Sequence, residues 1–183
     1  MNVTRTAIPD VLVIEPRVYG DPRGFFFESW NDRSLKAATG LDVGFVQDNH
    51  SRSACGVLCG LHYQLSRPQG KLVWAATGRV FDVAVDLRRS SPTFVRSVCV
   101  ELSDENHLQL WIPPGFAHGF LVLSGSADFL YKATDYYDRT DERTVAWDDP
   151  ALAIPWPSLP GGRPALSVKD AAGTRFAEAE TYA

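Results

Sequence analysis

The chain has 183 residues, enough for one domain that buries roughly two-thirds of the surface of its unfolded form. Hydrophobic residues make up 45% of the chain and charged residues 22%, an ordinary globular composition. The formal net charge of −4 argues against nucleic acid or an anionic membrane surface as the main partner.

No segment of the sequence predicts a targeting signal or a membrane span. The first ten residues lack the apolar stretch of a signal peptide, and no apolar run approaches the roughly 20 residues that cross a bilayer. Cys55, Cys59 and Cys99 form an odd set without a paired framework, which is typical of reduced thiols. We therefore expect a cytoplasmic protein.

Short alternating runs predict a chain that is mostly β-strand. Two strands are predicted at 11–19 and 23–30, on either side of the turn GDPRG. One helix is predicted at 29–40, where Asn31 or Asp32 could cap the first turn and Gly40 could end the last. The stretch QDNHS that follows, with His50, has the composition of a loop. Further strands are predicted at 58–65, 70–78, 79–88, 94–102, 107–113, 115–124 and 126–137.

This spacing of strands favours a single all-β domain. Many short strands separated by turns are typical of a sandwich or barrel. The tail from about residue 147 is rich in proline and tryptophan and is expected to wrap around the barrel as extended chain and turns. We therefore predict one domain over 1–183, with a barrel core at about 10–140 and a C-terminal wrapping segment at about 141–183.

The alternation of side chains along the predicted strands places polar groups on faces that are otherwise apolar. His62 shares a face with Gln64, while Leu61, Tyr63 and Leu65 occupy the other. By the same rule His118 lies with Phe120 and Val122, Tyr131 with Phe129 and Ala133, and Asp82 with Ala84 and Asp86. Several strands thus each bring one or two polar groups to a common apolar interior, as in a small-molecule pocket.

Each of these residues also has an ordinary structural explanation. A single histidine on an apolar strand is more often a hydrogen-bonded core residue than a catalyst, which applies to His62 and His118. Lys71 could protect a sheet edge, and Asp82 could anchor a turn or a neighbouring strand. The segment SVKD at 167–170 could be a surface turn.

A metal site of cupin type is the next possibility. The segment PPGFAH, which ends at His118, resembles the second half of such a site. The first half would need an H-x-H pair and a downstream glutamate, and only His62 is present, in H-Y-Q. Two histidines without a third strong ligand make a poor zinc or iron site, so we expect a cupin-type barrel without metal. His50 and His107 complete no ligand set.

Taken together, the motifs resemble the RmlC-like deoxysugar epimerases, the dTDP-4-dehydrorhamnose 3,5-epimerase family. The resemblance runs from about residue 5 to 180 and rests on segments that occur in order: DPRGFFFESW, FVQDNHSRS, GVLCGLHYQ, QGKLV, VFDVAVDLR, PPGFAHGF, FLYK and LSVKD. It implies a cupin-type jelly-roll homodimer with a few short helices and without a cofactor. It also implies a substrate, a nucleotide-linked 4-keto-6-deoxyhexose that is inverted at C3 and C5.

The same resemblance implies roles for the catalytic residues. His62 is the base that removes a proton next to the C4 ketone, and Asp170 orients it. Lys71 stabilises the enolate oxygen. Tyr131 is the acid that returns a proton on the opposite face of the sugar, which is what inversion of a carbon centre requires.

Substrate contacts carry over in the same way. The resemblance implies that Arg23, Phe26 and Glu28 reach into the site of the neighbouring subunit. It implies that Tyr137 occupies an aromatic position that influences whether one or both carbons are inverted. The other implied substrate-binding residues are Gln47, Asn49, His118 and Lys169.

The chain departs from the family pattern at Cys59 and also at Cys55, where close relatives have a basic residue. Where the family has arginine in G-V-L-R-G-L-H, as a contact to the diphosphate, this chain has Cys59. A thiol cannot replace a bidentate guanidinium, and the loss of one charge-assisted contact is worth ~1.5–3 kcal/mol, or about 10- to 150-fold in affinity. Either Arg52, Arg67 or Lys169 compensates, or the enzyme binds its diphosphate weakly or prefers another carrier.

Three functions follow as hypotheses. The first is the double epimerase of dTDP-L-rhamnose supply. The second is a mono-epimerase or ketoisomerase-like relative that shares His62 and Lys71. The third is a non-catalytic sugar-binding cupin, against which the set of His62, Lys71, Tyr131 and Asp170 argues, because a binding module needs no acid and base on opposite faces.

Overall fold

The computed structural model describes residues 1–159 and 161–183, and these residues form thirteen strands and two α-helices. The strands of the first half are β1 (Asn2–Arg5), β2 (Leu12–Glu15), β3 (Tyr19–Asp21), β4 (Gly24–Phe26), β5 (Gln47–Ala54), β6 (Leu58–Gln64), β7 (Lys71–Thr77) and β8 (Arg79–Asp86). Those of the second half are β9 (Ser97–Ser103), β10 (Gln109–Ile112), β11 (Phe116–Val122), β12 (Ser126–Ala133) and β13 (Glu142–Thr144). The helices are α1 (Asp32–Thr39) and α2 (Val168–Ala171), with a 3₁₀ turn at Phe176–Glu178. Among the described residues, no helix is long and apolar enough to cross a membrane.

Two antiparallel sheets pack face to face. The first has the strand order β1-β2-β10-β7-β12-β5, the second has the order β13-β6-β11-β8-β9, and β3 and β4 form a separate hairpin. This arrangement is a cupin-like jelly roll, so the all-β prediction is confirmed. Strands distant in sequence become neighbours, which is why polar residues from many parts of the chain can meet between the sheets.

The alternation of side chains predicted from the sequence is also confirmed. Ala84, Phe120 and Phe129 point between the sheets and belong to one buried cluster. Leu61 and Tyr63 point out of the second sheet, into a cluster that the C-terminal segment covers. Helix α1 covers the outer face of the first sheet in a third cluster, with Leu35 buried against it. The barrel therefore has a hydrophobic core between its sheets and a further hydrophobic cluster on the outer face of each sheet.

The capping residues Asn31 and Gly40 predicted for the helix are confirmed. Asn31 accepts a hydrogen bond from the backbone N–H of Ser34 through its side chain, and so caps α1. Gly40 ends the helix in the left-handed conformation, with φ of 74°. Both features are the ones expected at helix ends.

The C-terminal segment packs against the second sheet. Its first part is strand β13, which pairs with β6. Beyond β13, its described residues pair through single parallel bridges, Val57 with Ala165, Val145 with Thr174 and Arg88 with Tyr182. The segment SVKD is more than a surface turn, because Ser167 caps the short helix α2 and places Asp170 in the interior. Pro160, within the wrapping segment, lies outside the described residues.

Three predictions of secondary structure differ from the structure: the strand expected at 11–19 is divided into β2 and β3, strands β1 and β13 were not predicted, and the loop expected at QDNHS is wrong. The stretch QDNHS is the start of strand β5, which pairs with β12 along its whole length. Its inward side chains face a cavity, and its outward side chains, such as His50 and Arg52, face solvent or Asp128. Because neither face packs against apolar groups, the strand lacks the hydrophobic alternation by which strands are recognised.

Glycines at two turns give a test of this architecture. Gly78, between β7 and β8, and Gly40 have almost the same φ, 73° and 74°. A Cβ at Gly78 would lie 2.1 Å from the carbonyl oxygen of Ser126, whereas a Cβ at Gly40 would meet nothing within 4 Å. We expect Gly40→Ala to cost roughly 1–2 kcal/mol of unfolding free energy through backbone strain alone, and Gly78→Ala to cost a further ~1–3 kcal/mol through overpacking. Urea titrations of both variants measure the difference; equal costs would contradict the packing of this turn.

Candidate active site

A cavity of about 420 Å³ opens between the two sheets. Strands from both sheets supply its wall, and so do the segment between β12 and β13 and the helix α2. The lining residues are Gln47, Asn49, Ser51, Cys59, His62, Lys71, His118, Gly119, Phe120, Phe129, Tyr131, Tyr137, Glu142 and Lys169. Eight of the twelve residues predicted for the site thus line the cavity, and a ninth, Asp170, contacts His62 from behind.

On the wall formed by the second sheet, His62 is held by Asp170. The His62 Nε2 lies 2.6 Å from the Asp170 Oδ1, and the same oxygen accepts the backbone N–H of Gly60 at 3.1 Å. The Ser167 hydroxyl donates to the other oxygen at 2.6 Å. The imidazole is therefore fixed in orientation, with 22% of its side chain exposed towards the cavity.

The surroundings of Asp170 keep its carboxylate charged. Burial alone would raise its pKa, but the hydrogen bonds from His62 and Ser167 outweigh burial and lower the pKa to about 2. An ionised carboxylate hydrogen-bonded to one ring nitrogen fixes the orientation of the imidazole and leaves the other nitrogen free for the cavity.

The opposite wall, formed by the first sheet, carries Lys71 and Tyr131. The two residues lie on neighbouring strands, β7 and β12, and the Lys71 Nζ is 5.8 Å from the centre of the Tyr131 ring. Among the described residues, neither the ammonium nor the phenol has a hydrogen-bond partner. Both groups are therefore available to a ligand in the cavity. Strand β7 lies between β10 and β12, so the alternative that Lys71 protects a sheet edge is wrong.

Burial destabilises the charged forms of Lys71 and Tyr131. It lowers the pKa of Lys71 to about 8, although Glu142 and Asp82 act in the opposite direction. It raises the pKa of Tyr131, and the nearby negative charge of Glu142 adds to the shift. At neutral pH the cavity therefore presents a cationic lysine and a protonated tyrosine side by side.

His118 lies at the base of the cavity with Asp82 behind it. The His118 Nε2 is 2.9 Å from the Asp82 Oδ2, and both side chains are buried. Burial lowers the pKa of His118, while the carboxylate of Asp82 counteracts part of the shift. Asp82 thus anchors a side chain of the neighbouring strand β11, as one of the sequence interpretations held.

At the mouth of the cavity, Gln47, Asn49 and Tyr137 form a connected set. Gln47 donates to the Asn49 Oδ1 at 2.8 Å and accepts the backbone N–H of Tyr137 at 2.9 Å. The Asn49 Nδ2 is buried without a partner among the described residues. A buried donor of this kind is costly unless a ligand satisfies it.

Glu142 is a cavity residue that sequence reasoning missed. Its carboxylate accepts Lys169 Nζ at 2.9 and 3.0 Å and the Tyr137 hydroxyl at 3.1 Å. The three-residue strand that carries it has half-buried side chains on every position and no hydrophobic alternation. Ser51 was missed because its strand was interpreted as a loop.

Arg23, Phe26 and Glu28 lie outside this cavity. Arg23 and Phe26 sit on the β3–β4 hairpin, where Arg23 pairs with Asp21, and Glu28 accepts a hydrogen bond from Asn31. The Phe26 side chain is 67% exposed. Within their own chain, these three residues do not meet His62.

The three cationic residues that could replace the diphosphate-binding arginine lie in different places. Cys59 lines the cavity, and so does Lys169. Arg52 is bound to Asp128 and Arg67 to Asp135, and neither lines the cavity. Within the described part of the chain, no group of three or more His, Cys, Asp or Glu side chains is arranged to hold a metal ion.

Comparison with known proteins identifies the family. The family model described as dTDP-4-dehydrorhamnose 3,5-epimerase matches residues 5–178. A protein of that name from Pseudomonas aeruginosa is 59% identical over 182 residues, which cover 100% of this chain and 99% of the relative.

Solved structures agree with this match. RmlC from Legionella pneumophila, in complex with dTDP-4-keto-L-rhamnose, is similar with a TM-score of 0.94 and 52% identity, covering 98% of this chain and 94% of that one. ChmJ from Streptomyces bikiniensis, a 3'-monoepimerase in complex with dTDP-quinovose, has a TM-score of 0.87 and 31% identity, covering 97% and 88%. The chain therefore belongs to the dTDP-4-dehydrorhamnose 3,5-epimerase family.

Proposed function

We propose that this chain inverts C3 and C5 of dTDP-4-dehydro-6-deoxy-D-glucose to give dTDP-4-dehydro-L-rhamnose. Family membership supports an epimerase that acts on a nucleotide sugar. The observation that carries the proposal is the placement of His62 and Tyr131 on opposite sheets, so that both line one cavity from different strands.

The reaction requires a proton to leave a carbon next to a ketone. Such a proton is weakly acidic, so a base must remove it and a positive group must stabilise the enolate that forms. His62, oriented by Asp170, is suited to act as the base. Lys71 is suited to stabilise the enolate oxygen at C4, because its buried ammonium has no internal partner among the described residues.

Inversion requires the new proton to arrive on the other face of the sugar. Tyr131 is suited to this step, because it faces the cavity from the opposite sheet and its raised pKa keeps it protonated until the carbanion forms. Asn49, Gln47, Tyr137 and Lys169, with His118 deeper in the cavity, would hold the nucleotide and the sugar.

Deuterium exchange separates the two proton-transfer roles. In heavy water the unmodified protein should place deuterium at both C3 and C5 of the substrate, as measured by proton NMR. His62→Asn should reduce exchange ~10²–10⁴-fold, the range for loss of a general base. Tyr131→Phe should still exchange protons through His62, but with retention of configuration, because the acid on the opposite face is absent.

Deuterium at C3 alone in the unmodified protein would favour the mono-epimerase, the activity named for ChmJ. Exchange at neither carbon would contradict the proposal and leave the sugar-binding cupin. Exchange in His62→Asn at the rate of the unmodified protein would reject the assigned base.

The pKa of Lys71 sets the alkaline limit of activity. Its pKa of about 8 means that the free enzyme loses the charged ammonium as pH rises through 8. We expect kcat/KM to fall about tenfold per pH unit above that point, since kcat/KM reports ionisations of the free enzyme. In Lys71→Arg the guanidinium stays charged, so the alkaline fall in kcat/KM should begin at a higher pH. The maximal rate should also decrease, because arginine differs from lysine in geometry. An alkaline limb that stays near pH 8 in Lys71→Arg would exclude Lys71 as its origin.

We further propose that the protein is a homodimer in which the β3–β4 hairpin of one subunit completes the cavity of the other. The hairpin exposes Phe25, Phe26 and Tyr19 by 62%, 67% and 53%, a concentration of aromatic surface that suits a protein partner. Arg23 and Phe26 do not line the cavity of their own subunit, which supports a role in the neighbouring one.

Mixed dimers test this proposal. His62→Asn lacks the base but retains the hairpin, and the double variant Arg23→Ala, Phe26→Ala retains the base but lacks the hairpin contacts. Each alone should be nearly inactive. An equal mixture that is unfolded and refolded together should recover about a quarter of full activity, because half of the dimers then contain one complete site. Recovery of no activity from dimers shown to be mixed would contradict the shared site.

Two expectations stay predictions. One is that 1–183 is a single domain, for which the packing of the C-terminal segment against the second sheet is the support. The other is that the protein acts in the cytoplasm, for which the free thiols of Cys55, Cys59 and Cys99 are the support. A single cooperative unfolding transition and recovery in the cytoplasmic fraction are the observations that test them.

A further inference from the structure

The segment 136–138, which carries Tyr137 between β12 and β13, has exposed tyrosine side chains but a backbone held by several hydrogen bonds. The side chains of Tyr136 and Tyr137 are 58% and 50% exposed, as expected for a loop between two strands. Its backbone, however, is held on two sides by side chains from the barrel. The side chains that make these hydrogen bonds determine the position of the Tyr137 ring at the mouth of the cavity.

Gln64 supplies most of them. It is the last residue of β6, two positions after His62, and only 3% of it is exposed. Its Nε2 donates to the carbonyl oxygens of Arg67 at 2.9 Å and Tyr136 at 3.2 Å, and its Oε1 accepts the backbone N–H of Asp138 at 2.7 Å. Both amide hydrogens and one carbonyl lone pair are thus in use.

These bonds bracket Tyr137. The carbonyl of Tyr136 and the N–H of Asp138 belong to the two peptide groups on either side of it, so the Gln64 amide acts as an added strand would. Gln47 holds the N–H of Tyr137 itself from the other side.

The strand pairing of Gln64 secures the other end of the tyrosine. The backbone of Gln64 pairs with Glu142 in the β6–β13 register. Glu142 in turn accepts the hydroxyl of Tyr137. One residue therefore links the strand of His62 to both the backbone and the hydroxyl of Tyr137.

Packing alone does not explain this residue. An apolar side chain of similar size would fill the same volume without the cost of burying an amide, whereas a fully bonded buried amide fixes the groups around it in one arrangement. Gln69 provides the contrast within the same pair of loops. Its Nε2 donates to the carbonyl of Asp135 at 2.7 Å, which is two residues before Tyr137.

We propose that Gln64 is a positioning residue that holds Tyr137 at the mouth of the cavity and so governs binding of the dTDP-sugar. This inference rests on the proposed function. Gln64 acts on binding rather than on proton transfer, because Asp170 orients His62 independently and Lys71 and Tyr131 lie on the other sheet. Without Gln64 the segment must be ordered when the substrate binds, which weakens affinity.

Two matched variants test the inference, Gln64→Leu and Gln69→Leu. Gln64→Leu should raise KM for the dTDP-sugar roughly tenfold and leave kcat within about twofold, while the amide of Asp138 exchanges with solvent faster. Gln69→Leu should change neither KM nor that exchange rate. In a Tyr137→Ala background, Gln64→Leu should add little to KM, because the residue through which it acts is gone.

The opposite results would overturn the inference. A fall in kcat with KM unchanged would place Gln64 in proton transfer or in general stability, and an equal rise of KM in both variants would reduce it to one of several loop contacts. Full additivity with Tyr137→Ala would show that it does not act through Tyr137. The amide exchange of Asp138 is measured without substrate, so failure of the unmodified protein to turn over the dTDP-sugar would reject the proposed function while exchange still tests the link between Gln64 and this segment.

Discussion

The hydrogen bond between His62 and Asp170 is the interaction on which the site depends. It joins residues 108 positions apart, one on a central strand and one on a helix of the wrapping segment. The cap of that helix, Ser167, and the backbone of Gly60 satisfy the same carboxylate. The C-terminal segment therefore does more than cover apolar surface, because it delivers the charged group that orients the imidazole.

Two sheets provide what the proposed chemistry needs, which is access to both faces of one sugar ring. A single sheet would present its side chains from one direction only. In the jelly roll, the strands of His62 and of Tyr131 belong to different sheets whose inner faces meet across the cavity. Burial between the sheets also lowers the pKa of Lys71 and raises that of Tyr131, which makes the lysine a weaker base and the tyrosine a weaker acid than they are in water. The raised pKa keeps Tyr131 protonated near neutral pH, and a pKa of about 8 still leaves most of Lys71 in its charged form there.

The sequence allowed much of this site to be predicted, and the failures share a physical cause. His62, His118 and Tyr131 stand out because each is a polar residue on the apolar face of a strand, where alternation is clear. Ser51 and Glu142 were not predicted. Their strands face the cavity on one side and solvent on the other, so they lack a pattern of alternating hydrophobic residues. The roles of Asp170, Arg23, Phe26 and Glu28 came from resemblance to a family, since nothing local in the sequence links them to His62.

By itself the sequence determined the fold class, the faces of the main strands and the position of helix α1, because these follow from side-chain alternation and from capping residues close in sequence. It also contained the ordered motifs that identify the family. Only the tertiary structure decided which residues share the cavity, that Lys71 is central in its sheet and lacks a partner among the described residues, and that Gln64 brackets Tyr137. These features depend on pairing between strands far apart in the chain, and that pairing is settled by the packing of two whole sheets rather than by any local pattern.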